Sequence, residues 1–188
     1  MKTLMIIGHT QGLGKYLCDH LKAHYNILGI SRSTGYDLTD YETVKKVISL
    51  SLTVDHVLNV CKVSPAQTDL LVGIHTLWSK NQKYDKIISI GGLTTTFSWN
   101  LIRQANIHQT QYIADKHNLA KAHFDLSSID PYQPQPQSVL IRPLNIGSKD
   151  TNRSAEPYLL EKDILDMILL ILEKDYYIST IDLRKLNN

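Results

Sequence analysis

Two cysteines, Cys18 and Cys61, are all that 188 residues contain. That excludes a disulfide framework and leaves both as small buried apolar side chains of a reducing compartment. An excess of one charge is missing as well: 20 basic and 18 acidic residues give a formal net charge of +2. Like charges never run beyond a pair, which argues against nucleic acid or an anionic membrane as the main partner. Long hydrophobic runs are absent too. The N-terminal lysine meets only Leu4-Met5-Ile6-Ile7 before Gly8, and the Ile164–Leu172 stretch is interrupted by Asp166. Neither a signal peptide nor a membrane span is expected, and the chain reads as soluble and cytoplasmic. In that setting the glycosylation sequon Asn152-Arg153-Ser154 carries no meaning.

What is present is alternation. Apolar, β-rich runs at Thr3–Ile7, Asn26–Ile30, His56–Val60, Lys86–Ile90, Ser138–Arg142 and Tyr176–Ile181 are separated by helix-period segments near Gly12–His24, Tyr41–Leu50, Thr68–Asn81, Gln109–Ser127 and Lys162–Glu173. Strands alternating with helices predict an α/β fold with a doubly wound parallel sheet of six or seven strands, helices on both faces, in a single domain spanning residues 1–188. The runs are apolar nearly throughout, as strands buried on both sides must be. Between Ile30 and Tyr41 the chain is too short for a full crossover helix plus a strand, so one helix of a standard doubly wound half is expected to be deleted. The alternating prolines of Asp130–Pro136 predict an extended, solvated loop.

The first apolar run leads into Gly8-His9-Thr10-Gln11-Gly12-Leu13-Gly14 and then an amphipathic segment. A strand, a glycine turn and a helix N-terminus make a phosphate cradle: glycine lets the backbone approach an anion, and the first helical turn offers unpaired N–H groups. The second strand ends in Ser31-Arg32-Ser33, with no acidic residue placed for a ribose 2′-hydroxyl. A guanidinium flanked by hydroxyls suits a 2′-phosphate, so NADP is expected as cofactor, with NAD the second choice.

The spacing Gly8-x3-Gly12-x-Gly14 resembles the phosphate loop of the short-chain dehydrogenase/reductase family, and further matches follow in the family's order along nearly the whole chain. Asp37-Leu38-Thr39-Asp40 resembles the family's Asp-Val-Thr-Asp stretch, whose first aspartate lies by adenine, and reads equally as a helix N-cap. Leu58-Asn59-Val60-Cys61-Lys62 is similar to Asn-Asn-Ala-Gly with only Asn59 kept, and Lys62 is expected to point to solvent. Tyr112 and Lys116 fall in the helix where the family carries its catalytic pair. At i and i+4 they share a face, and a cation there is expected to lower the phenol's pKa for proton exchange with a carbonyl or alcohol oxygen. The lysine is also expected to hold the nicotinamide ribose. The same spacing recurs at Tyr41–Lys45 and Tyr158–Lys162, outside that context.

Other family positions are altered. Glycines occupy the usual Ser-Ser place in Ile88–Leu93, leaving Thr94, Thr95 or Thr96 to supply the hydroxyl, with Ser89 a poorer candidate inside the strand, and the helix asparagine is replaced by Leu70 before Gly73. Pro143 and Ile146 match the turn that reaches the nicotinamide. The resemblance implies an NADP-dependent oxidoreductase acting on a small carbonyl or alcohol, as a homodimer or homotetramer. Its catalytic residues would be Tyr112, Lys116 and Thr94. The cofactor would meet Gly8, Thr10, Gln11, Gly12, Leu13, Gly14, Ser31, Arg32, Ser33, Asp37, Leu38, Asn59, Lys116, Pro143 and Ile146. The losses at Gly92 and Leu70 favour the alternative, a dinucleotide-binding sensor or partner protein impaired in catalysis. No metal site is expected: His20 and His24 share a helix face, but Cys18 lies off it.

Overall fold

The computed structural model describes residues 1–92, 107–128, 134–143, 161–174 and 179–183. In chain order the elements are β1 (Thr3–Ile7), α1 (Gly12–Leu21), β2 (Asn26–Ile30), a 3-10 turn at Arg32–Thr34, α2 (Tyr41–Leu50) and β3 (His56–Asn59). After them come α3 (Ala66–Lys80), β4 (Lys86–Ile90), α4 (Ile107–Ser127), β5 (Gln137–Pro143), α5 (Glu161–Glu173) and β6 (Thr180–Leu183). The strands form one six-stranded sheet in the order β2-β1-β3-β4-β5-β6, and every pairing is parallel.

Successive side chains of a strand point to opposite faces, and each run feeds two cores. Met5, Ile7, Val57 and Ile87 pack on one face with Val44 and Val47 of α2, Leu70, Ile74 and Trp78 of α3, and Leu119 of α4. Leu4, Ile6, Leu58 and Ile88 pack on the other with Leu17 and Leu21 of α1 and Ile164, Ile168 and Ile171 of α5. Burial on both sides is why these strands read as unbroken apolar runs. Trp78 is fully buried, and its indole N–H donates to the Ser51 carbonyl (3.2 Å) and hydroxyl (3.0 Å), so α3 is tied to the end of α2. Among the described residues no helix is long and apolar enough to cross a membrane.

From β2 the chain passes through the single turn Arg32–Thr34 to α2, and β2 is the outermost strand. Between β2 and α2 there is thus no room for a further helix and strand, and among the described residues β2 pairs with β1 alone. Asp40 caps α2, accepting from the backbone N–H groups of Glu42 (3.3 Å) and Thr43 (3.0 Å).

Several boundaries differ from the sequence reading by a residue or more, three of them with a visible cause. Helix α1 ends at Leu21, not near His24, and Lys22 to His24 continue as turns, with the His24 N–H on the Leu21 carbonyl at 2.9 Å. The last strand runs Thr180–Leu183, level with Leu140–Pro143 of β5 and two residues beyond the expected end at Ile181, while Tyr176 to Ile178 of the expected strand lie outside the described residues. Helix α3 starts at Ala66, not Thr68: the Pro65 carbonyl already accepts from the N–H groups of Thr68 (2.9 Å) and Asp69 (3.2 Å).

Candidate active site at the carboxyl tips of the sheet

Ile7 pairs with both Ile30 and Asn59, and Asn59 with Ser89. The carboxyl ends of β2, β1, β3 and β4 are thus level, and the segments leaving them share one rim. In open parallel sheets ligands bind at this rim, where neighbouring strands lead their connections to opposite faces.

The glycine turn leaves β1 here. Gly8 has φ +91°, a conformation that side chains other than glycine's rarely adopt, and a Cβ on it would lie 3.0 Å from the Cys61 Cα. Its N–H donates to the Ile30 carbonyl at 2.8 Å, closing the turn against β2. Gly14 is tighter: a Cβ there would lie 1.9 Å from the Gly8 carbonyl oxygen. Gln11 stands at the N-cap of α1 with extended backbone and makes no side-chain cap, and the first turn carries no acidic residue. The N–H groups that open α1 therefore face the rim without a side-chain acceptor, the arrangement that receives a phosphate. Thr10, Gln11 and Gly12 are exposed, and Leu13 packs against the core beneath. Gly14→Ala is expected to force the helix start away from Gly8 and to abolish measurable dinucleotide binding, read by isothermal titration with NADPH. Wild-type affinity in that variant would mean that the turn is not the cradle.

Beside it, the tip of β2 is a cluster of hydroxyls. The Ser31 N–H donates to Thr34 Oγ1 (3.0 Å), and the Ser31 and Ser33 hydroxyls are 2.9 Å apart. The Arg32 side chain is 75 % exposed, its Nε 3.4 Å from Asp37 Oδ2. Asp37 also accepts from the Thr39 N–H (3.1 Å) and hydroxyl (2.8 Å), and these hydrogen bonds hold its carboxyl below the usual carboxylate range. The helix cap foreseen in this stretch is Asp40, while Asp37 orders the turn and pairs with Arg32. Leu38 is buried in the core next to them.

A buried polar network occupies the tips of β3 and β4. Asn59, wholly buried, donates from Nδ2 to the Gln67 carbonyl (2.9 Å) and accepts at Oδ1 from the Cys61 thiol (3.1 Å). Gln67 Nε2 donates to the carbonyls of Asn59 (3.3 Å) and Ile90 (3.0 Å). Lys116 Nζ, reaching in from α4, donates to Gln67 Oε1 (2.5 Å) and to the Ile90 carbonyl (3.2 Å). Burial, with a contribution from Lys62, lowers the Lys116 ammonium to about 8; Cys61 and Asp115 oppose the shift. Burial pushes the Cys61 thiol up to about 11.

Tyr112 lies one turn before Lys116, 42 % exposed, with the ammonium 5.6 Å from its ring centre. The expected lowering of its pKa is not found. The Lys116 ammonium turns to Gln67 and Ile90, and desolvation of the phenol raises its pKa instead. Tyr112 and Lys116 line a small open cavity with Lys62, Ser64, Gln67 and Thr68. Lys62 is exposed, as expected, yet it also forms part of this wall. The Tyr41–Lys45 pair has the same spacing and stacks at 4.6 Å, but with Tyr41 62 % exposed on α2.

Gln67 was not singled out from the sequence. Leu70, which takes the family asparagine's place, is wholly buried in the core, and Gln67, one turn earlier, supplies the polar group. Ser89 is wholly buried inside β4, and Pro143 ends β5. Thr94 and Ile146 lie outside the described residues.

A parallel sheet with helices on both faces and a glycine turn after its first strand defines a Rossmann-like protein. The particular version is the fold of the short-chain dehydrogenases. A short-chain dehydrogenase from Burkholderia cenocepacia J2315, solved with NADP, superposes with a TM-score of 0.71 at 12 % identity, over 98 % of this chain and 88 % of that one. One from Leptospira borgpetersenii serovar Hardjo-bovis, with NAD+, gives 0.69 at 14 % identity over 97 % and 90 %. A 4-hydroxyisoleucine dehydrogenase complexed with NADH and succinate gives 0.70 at 16 % identity over 95 % and 97 %. No protein-family model matches the sequence, and no curated protein matches it. At these identities the likeness is one of fold.

Proposed function

We propose that this protein is an NADP(H)-dependent oxidoreductase that interconverts a carbonyl and an alcohol on a small substrate. The observation that carries the reading is the convergence, on one rim of the sheet, of the Gly8–Gly14 cradle and the Tyr112–Lys116 pair. The fold neighbours solved with NADP, NADH and NAD+ support it. The cradle fits a diphosphate: glycines at 8 and 14 let the turn fold tightly on its own backbone, and the first turn of α1 has no side-chain cap and no acidic residue.

When bound, the cofactor supplies the hydride. The N–H groups of the first turn of α1 hold its phosphates. Arg32, with Ser31 and Ser33, would hold the 2′-phosphate, Asp37 and Leu38 would lie by the adenine, and Asn59 fixes the tip of β3 beneath. Tyr112 would exchange a proton with the substrate oxygen, Lys116 would hold the ribose, and the resemblance assigns Pro143 and Ile146 to the nicotinamide and Thr94 to the substrate carbonyl. Pairing into a homodimer or homotetramer across α3 and α4 belongs to the same reading, supported by Val72 and Phe124, 40 % and 70 % exposed on those helices.

The test is to titrate NADPH and NADH, then to assay NADPH oxidation on a panel of small carbonyl compounds. NADPH is expected to bind more tightly. Arg32→Ala is expected to weaken NADPH by roughly tenfold, the order of a lost charge-assisted hydrogen bond, and to leave NADH unchanged. Binding of neither cofactor rejects the reading. Tight binding with no turnover on any compound replaces it with the redox-sensing partner protein foreseen from the altered positions at Leu70 and Gly92.

A further inference from the structure

The amide of Gln67 has a single workable orientation. Gln67 is 7 % exposed, and two backbone carbonyls, those of Asn59 and Ile90, approach one end of its amide at 3.3 and 3.0 Å. Carbonyls need a donor, so that end is the NH₂. The other end faces the Lys116 ammonium at 2.5 Å, which needs an acceptor, so that end is the oxygen. Turning the amide over would set oxygen against two carbonyls and NH₂ against an ammonium, and each buried contact would then be repulsive. Gln67 thus carries the geometry of the β3 and β4 tips to one cation. Lys116 is 6 % exposed, and its other acceptor is the Ile90 carbonyl at 3.2 Å.

We infer that Gln67 is a positioning residue. Its Oε1 fixes Lys116 Nζ at the tips of β3 and β4 beneath Tyr112, and it meets the ammonium with a neutral acceptor in place of a charged one. This rests on the reading of Tyr112–Lys116 as the proton-exchanging pair. Asp115 and Tyr112 on its own helix, and Cys61 and Lys62 from the segment after β3, are the other ionisable groups acting on Lys116. From α3 comes the neutral Gln67, and from β4 the Ile90 carbonyl. Asp115 is itself engaged, accepting from Gln111 Nε2 at 2.9 Å. A neutral acceptor in the place of closest contact stabilises the ammonium less than a carboxylate would, and so leaves standing the lowering of the Lys116 pKa that burial causes.

The experiment follows the Lys116 proton without needing a substrate. The midpoint is read in the full chain from the pH dependence of trinitrobenzenesulfonate labelling at the Lys116 peptide, by mass spectrometry. Gln67→Glu is expected to raise it by about one unit or more, as an opposite charge at this distance does. Gln67→Met, which keeps the length and removes the acceptor, is expected to lower it. Gln67→Asn, which withdraws the oxygen by one methylene, is the milder variant if Gln67→Glu fails to fold, and it too is expected to lower the midpoint. Midpoints unchanged in the folded variants overturn the inference. A midpoint that moves while the pH profile of turnover stays put leaves Gln67 in its place and removes Lys116 from the proton exchange.

Discussion

Tyr112→Phe is expected to cut turnover of an accepted carbonyl by roughly 10²- to 10⁴-fold, the range lost with a general acid, while NADPH binding stays unchanged. The substitution removes one hydroxyl and leaves the ring that lies over the Lys116 ammonium at 5.6 Å, so a loss of turnover without a loss of binding isolates proton transfer from packing. The raised phenol pKa gives the prediction a direction. A phenol that holds its proton is ready to deliver it to an oxygen gaining negative charge, which is reduction. Oxidation needs the phenolate, which desolvation disfavours, and its rate should climb with pH well past neutrality. Stopped-flow measurement of NADPH consumption across pH separates the two directions. Unaltered turnover in the Phe variant would end the proposed role.

Acid is expected to unfold this chain early, between pH 6.5 and about 4. His56 at the start of β3 and His123 in α4 are 3 % and 2 % exposed, and burial lowers them to about 4 and about 3. His123 Nδ1 meets the Ser138 hydroxyl at 3.1 Å, and neighbouring His75 is lowered in the same direction by burial. Between the ordinary histidine value and these lowered ones, the unfolded chain takes up protons that the folded chain refuses. The stability these neutral imidazoles allow is therefore complete above pH 6.5 and is lost as pH falls through that window. At about 1.4 kcal/mol per unit, the loss is several kcal/mol over the pair, comparable with the whole stability of a typical domain. Urea unfolding followed by circular dichroism at a series of pH values measures it. The double variant His56→Phe, His123→Leu is expected to start less stable at pH 7 and to show a much flatter dependence down to about pH 4. An equally steep acid limb in that variant would assign the transition to carboxylates instead.

The sheet was legible because each strand must satisfy two cores at once. Leu4 and Ile6 serve one face, Met5 and Ile7 the other, and no reading of that run other than a doubly covered strand accommodates both. The glycine turn was legible for a related reason, since Gly14 sits where backbone leaves no room for a side chain. Gln67 was not. Its helix was read as starting at Thr68, which left Gln67 in a loop, and nothing in the sequence marks Pro65 as supplying the first carbonyl of α3. Helix α4 hid its partner residue in another way: Lys116, Leu119 and His123 are its buried stripe, and two of the three are polar. Hydropathy spacing finds a stripe only when it is apolar. Depth was equally invisible, since Tyr41–Lys45 and Tyr112–Lys116 have one spacing and opposite surroundings.

Among the described residues β2 pairs with β1 alone. A margin with a neighbour on one side opens at lower free energy than the interior of a sheet, and in this protein the margin ends in Ser31, Arg32 and Ser33. If that turn takes the 2′-phosphate as proposed, its occupancy and closure of the margin are linked: whatever affinity the turn gains for its ligand is expected to return as protection of the Asn26–Ile30 amides against exchange with solvent. Under the proposed function, the edge position of β2 would join the choice of cofactor to the local breathing of the sheet.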